Sequence, residues 1–309
     1  LEEVMNELTD LESYFPRPVF AYYPPKTDLC NRRMLMEHPK DRIVRTALAI
    51  VLDDVMGMEL LDSCYANRRA SDEQAKKRLT EDFATTSWPN FCYWQEQELN
   101  SGKEFLLRSD ITAFYDSVSH ENLIKRISEL TGFPEKCPFF QLFRKILQLK
   151  VSSYSHQRGK QIQESIMQQG LLIGNDVDGM FANLYLHPVD VIMHREGISY
   201  GRYNDDIRIF GNKKSEVLEA LKIIQEEVLT LGLNLNSTKT KLHEGPEQIR
   251  KVSNPSYGEE YGDESEEEEV LSTQTEELKK FVDKRFEDFE FDPDQVLNNK
   301  DQVDYKLYC

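Results

Sequence analysis

The sequence predicts an α+β fold, a split β-α-β-β-α-β antiparallel sheet with helices on one face. Three observations carry that prediction. A strand-like apolar run at 104–111 ends near Asp110, and two β-rich runs, 198–203 and 207–210, flank the turn-prone pair Asn204-Asp205. Helical spacing of apolar residues fills the intervals 121–130, 138–149, 176–195 and 215–231. In this order the first strand lies beside the hairpin, which brings Asp110 towards Asp205 and Asp206.

Each element has a local reason. Residues 41–61 (DRIVRTALAIVLDDVMGMELL) read as a helix with Arg and Asp on its polar side. In 176–195 the spacing of Met180, Leu184 and Leu186 is helical, and Pro188 is expected to kink or interrupt the helix because it lacks an N–H. Gly232 is placed to end the helix over 215–231, and 233–242 returns as one or two strands. Beyond His243 the run EEYGDESEEEE (259–269) reads as a mobile acidic loop or linker. Helical spacing resumes through Leu278, Phe281, Val282, Phe286 and Phe289. The expected divisions are 1–104, a sheet-bearing unit at 105–245, an acidic linker at 246–274, and the start of a helical domain at 275–309.

Charge is segregated along the chain. Residues 247–309 hold 8 basic against 19 acidic side chains, so they carry −11 of the net −17. Residues 26–80 hold 11 basic and 9 acidic, leaving the amino-terminal third able to face phosphates. The five scattered cysteines form no metal-binding or disulfide pattern and point to a reducing, cytoplasmic setting. No apolar run approaches the roughly 20 residues of a membrane span, and no signal peptide opens the chain.

Two adjacent carboxylates in a tight turn repel each other, which an ordinary turn does not need. The pair is either a solvated hairpin tip or a cation site. With Asp110 close by, three carboxylates at one sheet edge would suit magnesium, which keeps waters and phosphate oxygens as further ligands.

Four segments then stand in order: SDITAFYDSV (109–118), QGLLIGNDVDGMFANLYL (169–186), YNDD (203–206) and LGLNLNSTKTKL (231–242). Together they resemble the palm of reverse transcriptases. Upstream, PPKTDLCNRR with DRIVRTAL (24–48) and CYANRR (64–69) resemble the fingers of the retron and group II intron side of that family. The resemblance implies a palm with helical fingers, and nucleotidyl transfer with two magnesium ions, manganese substituting. It implies that Asp110 and Asp205 bridge both ions, that Asp206 is a weaker or outer ligand, and that the Ile111 carbonyl contributes. Tyr115 would select deoxynucleotides by colliding with a 2′-hydroxyl. Lys26 and Arg32 would hold the triphosphate, Gly170 would flank the nucleotide, and Lys239 would approach the leaving pyrophosphate. Without the resemblance these residues have plainer readings: a strand-end cap for Asp110, a core aromatic for Tyr115, surface charges for Lys26 and Arg32. Trp88, Phe91, Tyr93 and Trp94 read as core aromatics or base-stacking groups. His187 and His194 read as structural.

Where common members of that family have proline, glutamine and serine, this chain has Leu172, Ile173 and Asp178. The Gly-Leu-x-Ile-Gly form is closer to bacterial abortive-infection and defence-associated members, which implies DNA synthesis in antiphage defence, untemplated or primed on a protein hydroxyl. Asp178 is expected on the template-facing side of its helix, against ordinary template handling. The implied partners are deoxynucleoside triphosphates, a single-stranded DNA product, and a non-coding RNA or a protein primer hydroxyl, with a homo-oligomer compatible and no membrane. The alternatives are an RNA-templated enzyme of retron or intron type, and a degenerate polymerase fold serving only to bind nucleic acid.

Overall fold

The computed structural model describes residues 2–253, apart from 28–29, 57–59, 71–78, 82, 156–159 and 175. The expected linker beyond 253 and the expected helical domain at 275–309 lie outside the described residues. A short helix α1 (Glu2–Glu7) precedes four strands, β1 (Val19–Tyr22), β2 (Pro25–Thr27), β3 (Cys30–Asn31) and β4 (Met34–Met36). Helices α2 (Pro39–Met56) and α3 (Trp88–Asn100) lead to β5 (Phe105–Asp110), α4 (Phe114–Ser117), α5 (His120–Thr131) and α6 (Pro138–Leu147). A hairpin of β6 (Lys150–Ser155) and β7 (Lys160–Ile166) comes before α7 (Asp176–Arg195). The chain then runs through β8 (Ser199–Tyr203), β9 (Asp206–Gly211), α8 (Lys214–Thr230), β10 (Lys241–Glu244) and α9 (Pro246–Ser253).

The central sheet is ordered β10-β5-β9-β8, every neighbour antiparallel. Its register sets Leu107 opposite Ile209, Arg108 opposite Arg208 and Asp110 opposite Asp206. Successive side chains leave a strand on opposite faces. Leu107, Ile207 and Ile209 therefore join the main core with Leu123, Ile127, Phe181, Tyr185, Ile224 and Val228 of α5, α7 and α8. Leu106 and Phe210 point the other way and are covered by Leu99 and Trp94 of α3 and Ile249 of α9. The expected single helical face is thus corrected: both faces are apolar, so both are covered. Residues 246–253, expected in the acidic linker, form α9 with Ile249 fully buried.

The fingers, expected to be helical, carry strands beside their helices. A second sheet, ordered β4-β1-β6-β7, is built from 19–36 and from a hairpin at 150–166 for which no element was expected. Val19, Leu35, Val151, Met167 and Leu172 form its core. The expected strand over 233–242 reduces to an isolated bridge between Leu235 and Ile111 and then β10. Pro188 does not break α7, which continues to Arg195. Phe181, Tyr185, Val189 and Met193 are buried along its length, so packing outweighs the lost N–H.

One buried cation ties these parts together. Arg202 on β8 is 1 % exposed and makes a fork with the fully buried Asp190 of α7, Nε to Oδ1 at 2.7 Å and Nη2 to Oδ2 at 2.8 Å. Its Nη1 also donates to Asn183 Oδ1 at 2.9 Å and to the Asn204 carbonyl in the hairpin turn at 3.3 Å. The Arg202 backbone pairs with the 63–65 segment, its N–H donating to Ser63 O at 2.8 Å and its carbonyl accepting from Tyr65 N at 3.0 Å. Breaking a buried pair by removing one partner leaves the other charge desolvated and unpaired. Arg202→Ala is expected to cost about 3–5 kcal/mol of stability, read as a lower denaturant midpoint; a loss within error of zero would show that the pair is not the anchor.

Candidate catalytic carboxylate site

The turn between β8 and β9 is a two-residue loop. Tyr203 pairs with Asp206, leaving Asn204 and Asp205 at the tip. Asn204 takes φ +54°, the left-handed conformation such hairpins favour and that Asn tolerates better than most residues. Asp205 is driven up to about 6 by burial first and by the negative charge of Asp110 next. Asp110 and Asp206 face each other across β5 and β9, but Asp206 is ion-paired with the buried guanidinium of Arg208. Asp110 Oδ2 receives Lys239 Nζ at 3.3 Å and Asn236 Nδ2 at 3.4 Å.

Among the described residues no three His, Cys, Asp or Glu side chains converge closely enough to hold a metal ion. The expected three-carboxylate convergence is therefore a close interaction of Asp110 with Asp205, with Asp206 turned to Arg208. The donor set nonetheless fits a hard divalent cation: a half-buried, mutually repelling carboxylate pair with oxygen donors only is what such an ion neutralises. Ile111, whose carbonyl was expected beside the ions, is buried and bridges to Leu235.

Tyr115 lies next to this pair. Burial first and the Asp205 charge next push its phenol upward. Its ring meets Phe114 edge-on at 5.5 Å between centroids, and its carbonyl accepts from Leu171 N at 2.8 Å. Gly170 is buried, with φ +96°, and a Cβ there would stand 3.2 Å from Tyr115 O and 3.3 Å from Asp116 O. The glycine reaches the site through the backbone of Tyr115. Gln169 and His120 complete the brace, through Gln169 Nε2 to Asp116 O at 3.3 Å and His120 Nε2 to Gly170 O at 2.7 Å.

The proposed triphosphate ligands divide. Lys26 lies on β2, with its side chain outside the described residues. Arg32 is exposed in the turn before β4, its N–H donating to Pro24 O at 2.8 Å. Its neighbour Arg33, not singled out from sequence, reaches the other side of the cleft and pairs with Asp116 at 2.8 Å. Asn236 was also missed. Its backbone N–H donates to Asp110 O at 2.7 Å, and its Oδ1 accepts from Thr238 N at 3.1 Å and Lys239 N at 3.3 Å. That turn presents Lys239 to Asp110. The signal was present as the Asn-Ser-Thr run, a common turn composition.

Asp178 is corrected most sharply. It does not face a template: it is fully buried, paired through Oδ1 with Arg45 Nη1 at 2.9 Å, and accepts from Leu172 N at 3.1 Å. Arg45 also bonds Glu37 at 2.9 Å and the Ile146 carbonyl. The aromatic run of α3 is structural for the most part. Phe91 is fully buried and, with Trp88, surrounds Tyr203, while Trp94 packs on Phe210; only Tyr93 is well exposed, at 67 %.

Residues 25–293 match the sequence profile of the family described as reverse transcriptase (RNA-dependent DNA polymerase). No curated protein matches the chain in sequence. Among solved structures, the chain is similar to an apo telomerase from Candida tropicalis, with a TM-score of 0.50 at 12 % identity over 75 % of this chain and 45 % of that one. It is likewise similar to a Candida albicans telomerase in complex with a fragment of telomeric RNA, with a TM-score of 0.51 at 13 % identity over 76 % of this chain and 42 % of that one. The chain thus spans less than half the length of these two structures, and at such identities the likeness is one of fold.

The raised carboxyl of Asp205 has a consequence for stability. The folded state holds that proton more tightly than the unfolded chain, so this contribution is present at low pH and is lost as pH rises from about 4 through about 6. In chelator-containing buffer Asp205→Asn is expected to melt at higher temperature than the parent above pH 6, with the gap closing towards pH 4. Parallel melting curves for the two proteins across that window would refute the assignment.

Proposed function

The chain belongs to the reverse transcriptase family, and from that premise we propose that it is a DNA polymerase, adding deoxynucleotides from their triphosphates to a hydroxyl. The observation that carries this reading is the half-buried Asp205 held in a hairpin turn against the charge of Asp110. In this reading Asp110 and Asp205 would hold two divalent cations, magnesium or manganese, helped by the Ile111 carbonyl, and Asp206, paired with Arg208, would serve as an outer group. Bound there, the cations would activate the attacking hydroxyl and neutralise the triphosphate. The protein's own part is positioning. Tyr115 is the wall against a 2′-hydroxyl, Lys26 and Arg32 grip the triphosphate, and Lys239 stands on the Asn236 turn near the leaving group.

The template is a separate matter. Untemplated synthesis of single-stranded DNA, primed on a protein hydroxyl, is supported by the acidic run at 259–269, which would oppose a duplex through charge repulsion. RNA-templated copying is favoured by the burial of Asp178, which removes the carboxylate expected to face a template. A setting in bacterial antiphage defence rests on the Gly-Leu-x-Ile-Gly form of 170–174.

The central test is incorporation of labelled dNTPs by nuclease-treated protein, with and without an added RNA template. Asp205→Asn should reduce incorporation below detection and weaken the rise in melting temperature that Mg2+ gives the parent; parental rates in the variant would sink the proposal. Product requiring all four nucleotides and matching the RNA selects templated copying, and homopolymer made without template selects the other reading. For the defence setting, cells carrying the parent should lower phage plaque counts relative to cells carrying Asp205→Asn, and equal counts would exclude it.

A further inference from the structure

We infer that Lys241, Arg108 and Arg208 form a cationic row that holds the phosphate backbone of a single DNA strand whose end reacts at the carboxylates. The identity of that strand rests on the polymerase reading above. Strand register supplies the row: Lys241 of β10 stands opposite Arg108 of β5, and Arg108 stands opposite Arg208 of β9. Alternation puts all three on the sheet face shared with Asp110 and Asp206, which lie two residues further along their strands. The carboxylate row and the cation row are therefore about 7 Å apart, two residues at the rise of a strand. One strand of a nucleic acid carries a phosphate about every 3.4 Å of axis. A strand ending at the carboxylates thus has phosphates beside the cations.

Like charges directly opposite one another in a sheet are destabilising, and this row sets three in succession. A row that only balanced Asp206 would need Arg208 alone, which is its ion-pair partner. Asp110 already receives Lys239. Arg108 and Lys241 extend the positive charge across β5 to the edge strand β10. The excess is felt one row further on. His243, on the same face, is held below the usual histidine range by burial first and then by the charges of Arg108, Arg208 and Lys241. The buried atoms Arg208 Nε and His243 Nε2 have no hydrogen-bond partner among the described residues. Access is graded along the row. Lys241 is exposed, Arg108 is half-buried, and Arg208 is buried with its guanidinium 5.8 Å from the centroid of the Phe91 ring. A phosphate would touch Lys241 and Arg108, while Arg208 adds its field from a site of low dielectric.

The experiment measures, by fluorescence anisotropy over a range of salt, binding of a labelled single-stranded oligodeoxynucleotide to the nuclease-treated full chain. Chelator is present and nucleotide absent, so neither cations nor catalysis enter. Lys241→Ala and Arg108→Gln are each expected to weaken binding about five-fold and to make the log–log salt slope shallower by about 0.7, the release from one single-strand phosphate. Lys222→Ala, an exposed position on α8, removes the same charge elsewhere and should change neither quantity. Equal affinity and slope in the parent, Lys241→Ala and Arg108→Gln would overturn the inference, as would an equal loss in Lys222→Ala. A second arm adds inorganic pyrophosphate as competitor. If it displaces the oligonucleotide from the parent but not from Lys241→Ala, the row is a subsite for a nucleotide's phosphates and the strand assignment is overturned. Row-dependent binding by a parent that incorporates no dNTP would support the row and remove the polymerase reading, so the two fail separately. Should Arg108→Gln not fold, Lys241→Ala decides, because that side chain is exposed.

Discussion

Arg202 is buried two residues before the turn that carries the candidate catalytic carboxylate, and most of the site is located relative to it. Its fork with Asp190 fixes β8 to α7, its contact with the Asn204 carbonyl fixes the turn, and its backbone fixes the 63–65 segment to the sheet edge. A buried ion pair gives little net stability compared with apolar packing. It does impose direction, because a planar guanidinium accepts only one arrangement of a bidentate partner. Three segments far apart in sequence, 63–67, 183–190 and 202–204, are held in a common frame by that geometry.

Within this frame the charges are distributed unequally. Asp205 is left against Asp110 with burial opposing its ionisation, whereas Asp206, its neighbour in sequence, is ion-paired with Arg208 and adds a smaller repulsion. Alternation along β9 explains the difference: Asp206 and Arg208 share one face of the strand, and Asp205 sits in the turn outside the alternation. Asn236 adds a second constraint by tying the loop that bears Lys239 to the end of β5. The arrangement stores unfavourable like-charge interaction at one point and relieves it elsewhere, the pattern expected where a cation or a reacting group is to be received.

Leu172 and Asp178 show how a departure from a motif can be internally consistent. The Leu172 N–H donates to Asp178, a bond that a proline at 172 could not make, and Asp178 in turn pairs with Arg45 from α2. A desolvated carboxylate needs such partners. Read as an isolated substitution, Asp178 suggested a charge presented to nucleic acid; read with Leu172 and Arg45, it is a link between α2 and α7.

The palm was legible in the sequence because its elements announce themselves locally. A strand ending at Asp110, a β-rich hairpin around Asn204-Asp205 and amphipathic helices each follow from spacing and turn chemistry within a dozen residues, and the approach of Asp110 to Asp205 and Asp206 follows from their order. The second sheet was not legible, since β1 and β4 are only four and three residues long and β1 pairs with β6 across more than a hundred residues of chain. Nor did spacing reveal that Asp206 turns to Arg208, that Asp178 is buried, or that Asn67 meets Asn204. The sequence by itself determined which residues could carry the chemistry and in what order along the chain. Tertiary structure alone decided which of them face one another, because hydrogen-bond and ion-pair partners in a buried site are chosen by which side chains packing leaves within reach, and for Arg45 with Asp178 and Asn67 with Asn204 those side chains lie 133 and 137 residues apart.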